Sequence, residues 1–319
     1  MIDGNNVKEI TQVINGKTVT FNEYSTALTH SAFIGDIDTC KWLIEHGTDV
    51  DETDEFSDTA LSNAVLTGNL ELCRMLLEHG ANVNQEADIF ETVLGCAVSR
   101  ENLELCRLLL EYGVNVNTKD LIEDWTVLME AARAGNADIC KLLIEHGADV
   151  NATLDDGWTA LMAAAQEGHF KVCKLLVKNG ADPNAKDDED RTVLMCAAGS
   201  GNKALCRWLV DENGLDVNAK EKEEDATVLL FAAKSGNISL CQWLIDEKGL
   251  DVNAKLKDGV TLLGIAVEEN HFNLCKWLVD EKGVDVNVKD VNNVTLLQYA
   301  EETDGLERIA KFLKSRGAC

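Results

Sequence analysis

Eleven cysteines, six histidines and 56 carboxylates are the residues of this chain whose types could do chemistry. Thiols could pair as disulfides, attack as nucleophiles or join histidines around a soft metal. Carboxylates could hold calcium or work as an acid–base pair. The spacing argues against each. Eight cysteines, Cys40, Cys73, Cys106, Cys140, Cys173, Cys206, Cys241 and Cys275, recur every 33 to 35 residues. No Cys-x-x-Cys pair occurs, so the tight spacing of a zinc site is missing. Equivalent cysteines on stacked helices stand about 8–10 Å apart, whereas a disulfide needs Cα atoms within about 7 Å. Such thiols act as small hydrophobes, and eight reduced thiols in a core point to an intracellular, cytoplasmic compartment. His169 with Cys173 and His271 with Cys275 stand four apart and could share a helix face. There, however, the histidine would sit at the helix start while the cysteine points inward. The runs Asp155-Asp156, Asp187-Asp188-Glu189-Asp190 and Glu221 to Asp225 lack the ligand spacing of a calcium loop and read as solvated turns. No phosphate loop, nucleophile elbow or Ser/His/Asp set appears. The chain is expected to be no enzyme and to hold no metal and no cofactor.

The elements that position these residues follow from a repeat. A threonine, a small or branched residue and a leucine recur at Thr26, Thr59, Thr92, Thr126, Thr159, Thr192, Thr227, Thr261 and Thr295. Fourteen residues after each of the first eight stands one of the cysteines, and the ninth unit has Ile309 there. A glycine follows 21 or 22 residues after each threonine, from Gly47 to Gly317. One unit shows the local logic. Thr159 can cap a helix whose apolar residues are Leu161, Met162, Ala164 and Ala165. Gly168 stops it, because glycine accepts the left-handed conformation just past a helix end. A second helix buries Val172, Cys173, Leu175, Leu176 and Val177, and Gly180 ends it. Helices this short are marginal alone, so they must stack on neighbouring units to bury their apolar faces.

These residues resemble the ankyrin repeat family. Gly157-Trp158-Thr159-Ala160-Leu161 is similar to its Gly-x-Thr-Pro-Leu opening, Gly168-His169 to its mid-repeat Gly-His, and Leu175-Leu176 with Gly180-Ala181-Asp182 to its ending. The resemblance covers about residues 21–319 as nine repeats. It implies an all-α, helix-pair solenoid with short loops or β-hairpin turns between repeats. There are departures. The family's Pro is replaced throughout by Ala, Val or Leu. The place of Gly157 is taken by Asp124, Asp190, Asp225 or Asn293, residues that enter the left-handed region readily, and more oddly by Ser57 and Phe90. The mid-repeat glycine becomes Glu101, Asn270 and Asp304. Turns near Phe90 and Glu101 are expected to be reshaped.

Residues 1–20 read as an N-terminal cap. Asn6-Val7-Lys8-Glu9 has the form of a capping box, with Val7, Ile10 and Ile14 on one helix face and Asn15-Gly16 as the stop. The alternative is a β-hairpin turning at Asn15-Gly16. At the other end Glu307, Arg308, Lys311, Lys314 and Arg316 make the last helix polar, as an end cap requires, so the sequence reads as a closed solenoid. Met1 to Asn15 has no continuous apolar core, which reads as no secretory signal. No run of 18 apolar residues exists, so no transmembrane span is expected. The net charge of −27 repels phosphate backbones, which argues against nucleic acid as a partner.

Function then rests on the positions that vary between units. In ankyrin-like folds the loops and first helices line a concave groove, and the resemblance implies the same here. Beside and just after the threonines stand Phe33, Ile34, Phe56, Leu66, Ile89, Arg100, Trp125, Arg133, Trp158, Gln166 and Arg191. Exposed Trp, Phe and Arg have the composition of binding hot spots. The later units place Glu224, Asp258, Glu268, Glu269 and Glu302 there instead. The expectation is a monomeric module binding a protein or peptide, one with a basic surface fitting the acidic half. The alternative is a structural adaptor or spacer arm that presents another chain and leaves the groove empty. Trp125 and Trp158 hold equivalent places and are expected on one side of the solenoid, with Arg100 and Arg133 facing the same groove.

Overall fold

Helix pairs dominate because the sequence supplies a capped start and a glycine stop every seven to nine residues. The computed structural model describes residues 9–14, 17–85, 92–120 and 124–319. It divides into two compact units, Met1–Asp149 and Val150–Cys319. The first holds the pairs α1 (Ala27–Phe33) and α2 (Ile37–Glu45), α3 (Ala60–Leu66) and α4 (Leu70–Glu78), α5 (Val93–Ser99) and α6 (Leu103–Glu111), and α7 (Val127–Arg133) and α8 (Ala137–Glu145). The second holds α9 (Ala160–Gln166) and α10 (Phe170–Lys178), α11 (Val193–Gly199) and α12 (Lys203–Asp211), and α13 (Val228–Lys234) and α14 (Ile238–Gln242). It ends with α15 (Leu262–Glu268) and α16 (Phe272–Asp280), then α17 (Leu296–Glu302) and α18 (Glu307–Ser315). Among the described residues no helix is long and apolar enough to cross a membrane.

Each pair is built the same way. At every repeat threonine but Thr227 the hydroxyl accepts the N–H three residues on, as Thr159 does from Met162 at 3.2 Å. An Asp or Asn caps most second helices in the same manner. Asn202 accepts from the N–H of Leu205 at 3.0 Å while its Nδ2 donates to the carbonyl of Gly168 in the preceding pair at 2.9 Å. One side chain thus closes a helix start and binds a neighbour. Where His271 replaces the asparagine, its Nε2 lies 2.7 Å from the carbonyl of Lys234. Its ring would stand 2.7 Å from a Cβ added at Gly236, so only glycine fits there. The mid-repeat turn survives at Glu101, against expectation. Its φ is 54°, and Asn102 still donates to Ala97 at 3.0 Å. The turn's hydrogen bonds offset a left-handed residue. Phe90 lies outside the described residues.

The core is aliphatic and thiol-rich. Ten cysteines are buried, Cys319 is exposed, and none is in a disulfide. Burial pushes nine of these thiols, Cys40, Cys73, Cys106, Cys140, Cys173, Cys196, Cys206, Cys241 and Cys275, up to about 12.

Two features depart from a simple repeat. The expected N-terminal helix is instead an antiparallel hairpin, β1 (Glu9–Ile14) and β2 (Lys17–Asn22), with Ile10 opposite Phe21. Its β-branched residues favour strands. Val19 and Phe21, two apart, turn inward as β2 packs on α1. Apolar spacing alone fits a helix as well as a strand, and the packing of β2 on α1 selects the hairpin, the alternative that the sequence also offers. Its capping-box start at Asn6 and stop at Asn15-Gly16 lie outside the described residues.

The second departure is the longer spacing from cysteine to glycine in three pairs of the second unit, eight residues in place of seven. In α10 the closing bond runs from the Ala181 N–H to Leu176, whereas Leu215, Leu250 and Val284 reach one residue further back, to Leu209, Leu244 and Leu278. After α14 the added residue is absorbed as a π-helical turn over Trp243–Glu247. The extra position carries Lys248 and Lys282, whose ammonium groups reach the carboxylates of Asp211 and Asp246 at 2.6 and 2.5 Å. Arg316 does the same with Asp280 at 2.7 Å. A ladder of ion pairs therefore joins successive pairs.

Candidate functional site

The ends of the first helices and the turns before them hold the varied residues. In the first unit Phe33 closes α1 and Leu66 closes α3, equivalent places on helices that pack together. Phe33 is 54% and the following Ile34 60% exposed. Leu66 and Phe56 are exposed as well, and the Phe56 ring lies 5.9 Å from that of Tyr24. Phe33, Ile34, Phe56 and Leu66 are four of the large apolar side chains that this unit exposes among its described residues. Arg100 follows α5, exposed, with Nη1 2.8 Å from the Cys96 sulfur. Trp125 is half-buried. Arg133 stacks over its ring at 5.7 Å while pairing with Glu130 at 2.7 Å. Ile89 lies outside the described residues.

The residue just before the threonine decides what fills the space between pairs. At Asp58 that residue is a carboxyl with one oxygen buried without a partner, and burial, with Asp54 beside it, raises its pKa. At Trp158 it is an indole, and here the expected exposed ring is corrected. Trp158 is only 9% exposed. The Arg191 guanidinium covers it at 5.3 Å, held by the buried Asp187 carboxylate at 2.5 Å. An indole offers a large apolar face that a neighbouring cation satisfies, so Trp158 packs between turns. Gln166 ends α9, exposed. Trp125 and Trp158 fall in different units.

At the far end of the second unit the filling is absent. Three residues after the threonines stand Met162, Met195 and Leu230, all buried, then Gly264. The preceding positions run Trp158, Arg191, Ala226 and Val260. A cleft of about 210 Å³ opens there, walled by Val260, Gly264, Leu296 and Tyr299, with Asp258 and Glu268 at its edge. In the second unit Gly264 breaks a run of large residues at this place, whereas the first unit already has Thr29, Ser62 and Gly95 there. A small residue marks a space only when its neighbours across the stack are known.

Among the described residues no group of three or more His, Cys, Asp or Glu is placed to hold a metal ion. Ten of the eleven cysteines are buried, and the exposed side chains named above offer surfaces for contact. A family model described as ankyrin repeats (three copies) matches residues 3–87, 94–187, 151–221, 186–256 and 229–319. No curated protein matches the chain.

Proposed function

Because the chain belongs to the ankyrin repeat family, whose repeats generally mediate protein–protein contact without catalysis, we propose that it is a non-catalytic module that binds a protein or peptide. The observation that carries this reading is the exposed apolar set Phe33, Ile34 and Leu66 on adjoining helix ends. Contiguous apolar surface on a soluble chain marks interaction sites. Phe56, Arg100, Trp125 and Arg133 extend that surface within the first unit, with Gln166 and Arg191 contributing in the second. Arg–Trp stacking pre-orders both groups, so less side-chain freedom is lost when a partner docks.

The test is affinity capture from a cognate lysate with the wild-type chain and with Phe33→Ser plus Leu66→Ser. The double variant is expected to bind the captured protein at least tenfold more weakly, about 1.4 kcal/mol, with an unchanged circular dichroism spectrum. Equal retention by both chains would move the site away from these helix ends.

A further inference from the structure

We propose that the cleft between the last two helix pairs receives one apolar side chain of a partner protein segment, and that a lysine or arginine next to that anchor meets the carboxylates of Asp258 and Glu268. This rests on the protein-binding reading and specifies a second contact, in the other unit.

Two missing side chains make the cleft. In the pair that begins at Thr159, Trp158 and Met162 fill the corresponding space, and both are buried. At Thr261 the same two places hold Val260 and Gly264. Nothing about the backbone calls for that glycine. It lies inside α15 and its φ is not positive, but Val260 Cγ1 stands only 3.1 Å from where a Cβ would be, so the Val260 side chain packs against bare backbone there. A glycine within a helix costs about 1 kcal/mol relative to alanine, a cost with no turn to justify it. With Val260 drawn against the glycine, the cleft stays open between Val260, Leu296 and Tyr299.

Size and charge identify the occupant. At about 210 Å³ the cleft is smaller than the roughly 300–1,000 Å³ of small-molecule sites, and it suits one anchoring side chain. Its walls are aliphatic and aromatic, with Tyr299 partly exposed and Val291 exposed on the adjacent turn. Lys289 is the single cation among the lining residues, against the carboxylates of Asp258, Glu268 and Asp290. An apolar anchor flanked by a cation matches both, and the chain's charge of −27 draws basic segments toward it.

The probes are fluorescent nonapeptides Gly-Ser-Gly-Arg-X-Arg-Gly-Ser-Gly, with X as Gly, Leu or Phe, and the same series with Glu for Arg. They are titrated into the full chain by anisotropy. Leu or Phe at X is expected to bind at least tenfold tighter than Gly, and Glu flanks to weaken binding at least tenfold. Gly264→Met and, separately, Val260→Trp refill the cleft with the side chains found at Thr159 and should abolish the preference for X. Glu268→Gln should weaken the Arg series alone. Absence of any preference for X in the wild type, or its persistence in both refilled variants, would overturn the cleft. If a captured cellular protein still depends on Phe33 and Leu66 while the peptides show no preference, the cleft fails and the binding-module reading stands.

Discussion

A thiol buried among aliphatic side chains is inert because its thiolate would have to form without water. Nine of the cysteines are pushed up to about 12 for this reason. Native protein is therefore expected to label with a maleimide at Cys319 only, and at all eleven cysteines in denaturant, counted by intact mass. Rapid native labelling of Cys106, Cys140 and Cys173 would contradict the packing. The same burial sets a direction with pH. Thiols raised in the folded chain keep protons that the unfolded chain gives up, so stability is full below the unfolded value near ~8.5 and falls as pH climbs toward about 12. Each thiol adds up to ~1.4 kcal/mol per pH unit in that window. Trp158 yields a second residue-scale expectation. Since its ring is buried under Arg191, Trp158→Ala should destabilise the second unit by about 3 kcal/mol, as removal of a buried aromatic does. Loss of binding with an unchanged melting curve would instead return Trp158 to the surface.

At the scale of elements, the added residue in three pairs of the second unit exchanges a regular helix end for charge pairing between pairs. Lys248, Lys282 and Arg316 each reach back to an aspartate of the preceding pair. The Arg316 guanidinium, helped by Lys276, holds the Asp280 carboxyl down at about 2, and Lys248 lowers Asp211. A carboxyl lowered in the folded chain favours folding fully above its unfolded value near ~3.9, and that contribution disappears as pH falls through about 2. The melting temperature is thus expected to drop between pH 4 and 2, less steeply in Asp280→Asn than in wild type. Since these groups are exposed, the effect should also shrink in salt. Equal acid slopes in the two proteins would assign the ladder no energetic role.

At the scale of the whole molecule, charge governs how partners arrive. With 56 acidic against 29 basic residues, the field favours encounter with basic surfaces, and it is screened over about 10 Å at 0.1 M salt. The association rate of an Arg-flanked peptide, measured by stopped flow, should fall at least tenfold between about 20 and 300 mM salt. A rate independent of salt would leave the acidic residues as solubilising groups only.

The repeat period, the threonine caps, the glycine stops and the thiol core were all legible in the chain, because each is local or strictly periodic. Thr159 to Gly180 already contains its own two helices, and eight cysteines at one phase must share one environment. The family followed from the same residues. What needed the tertiary structure were the places where one pair meets the next. Glu9–Ile14 and Lys17–Asn22 pair as strands because β2 finds α1, a partner invisible in a helical spacing count. Trp158 is buried because Arg191, 33 residues later, lies over it. The cleft at Gly264 exists because two side chains are small together, while the wall opposite them, Leu296 and Tyr299, comes from the following pair. Burial and vacancy depend on neighbours across the stack, and a one-dimensional pattern marks which positions are equivalent without saying what covers them.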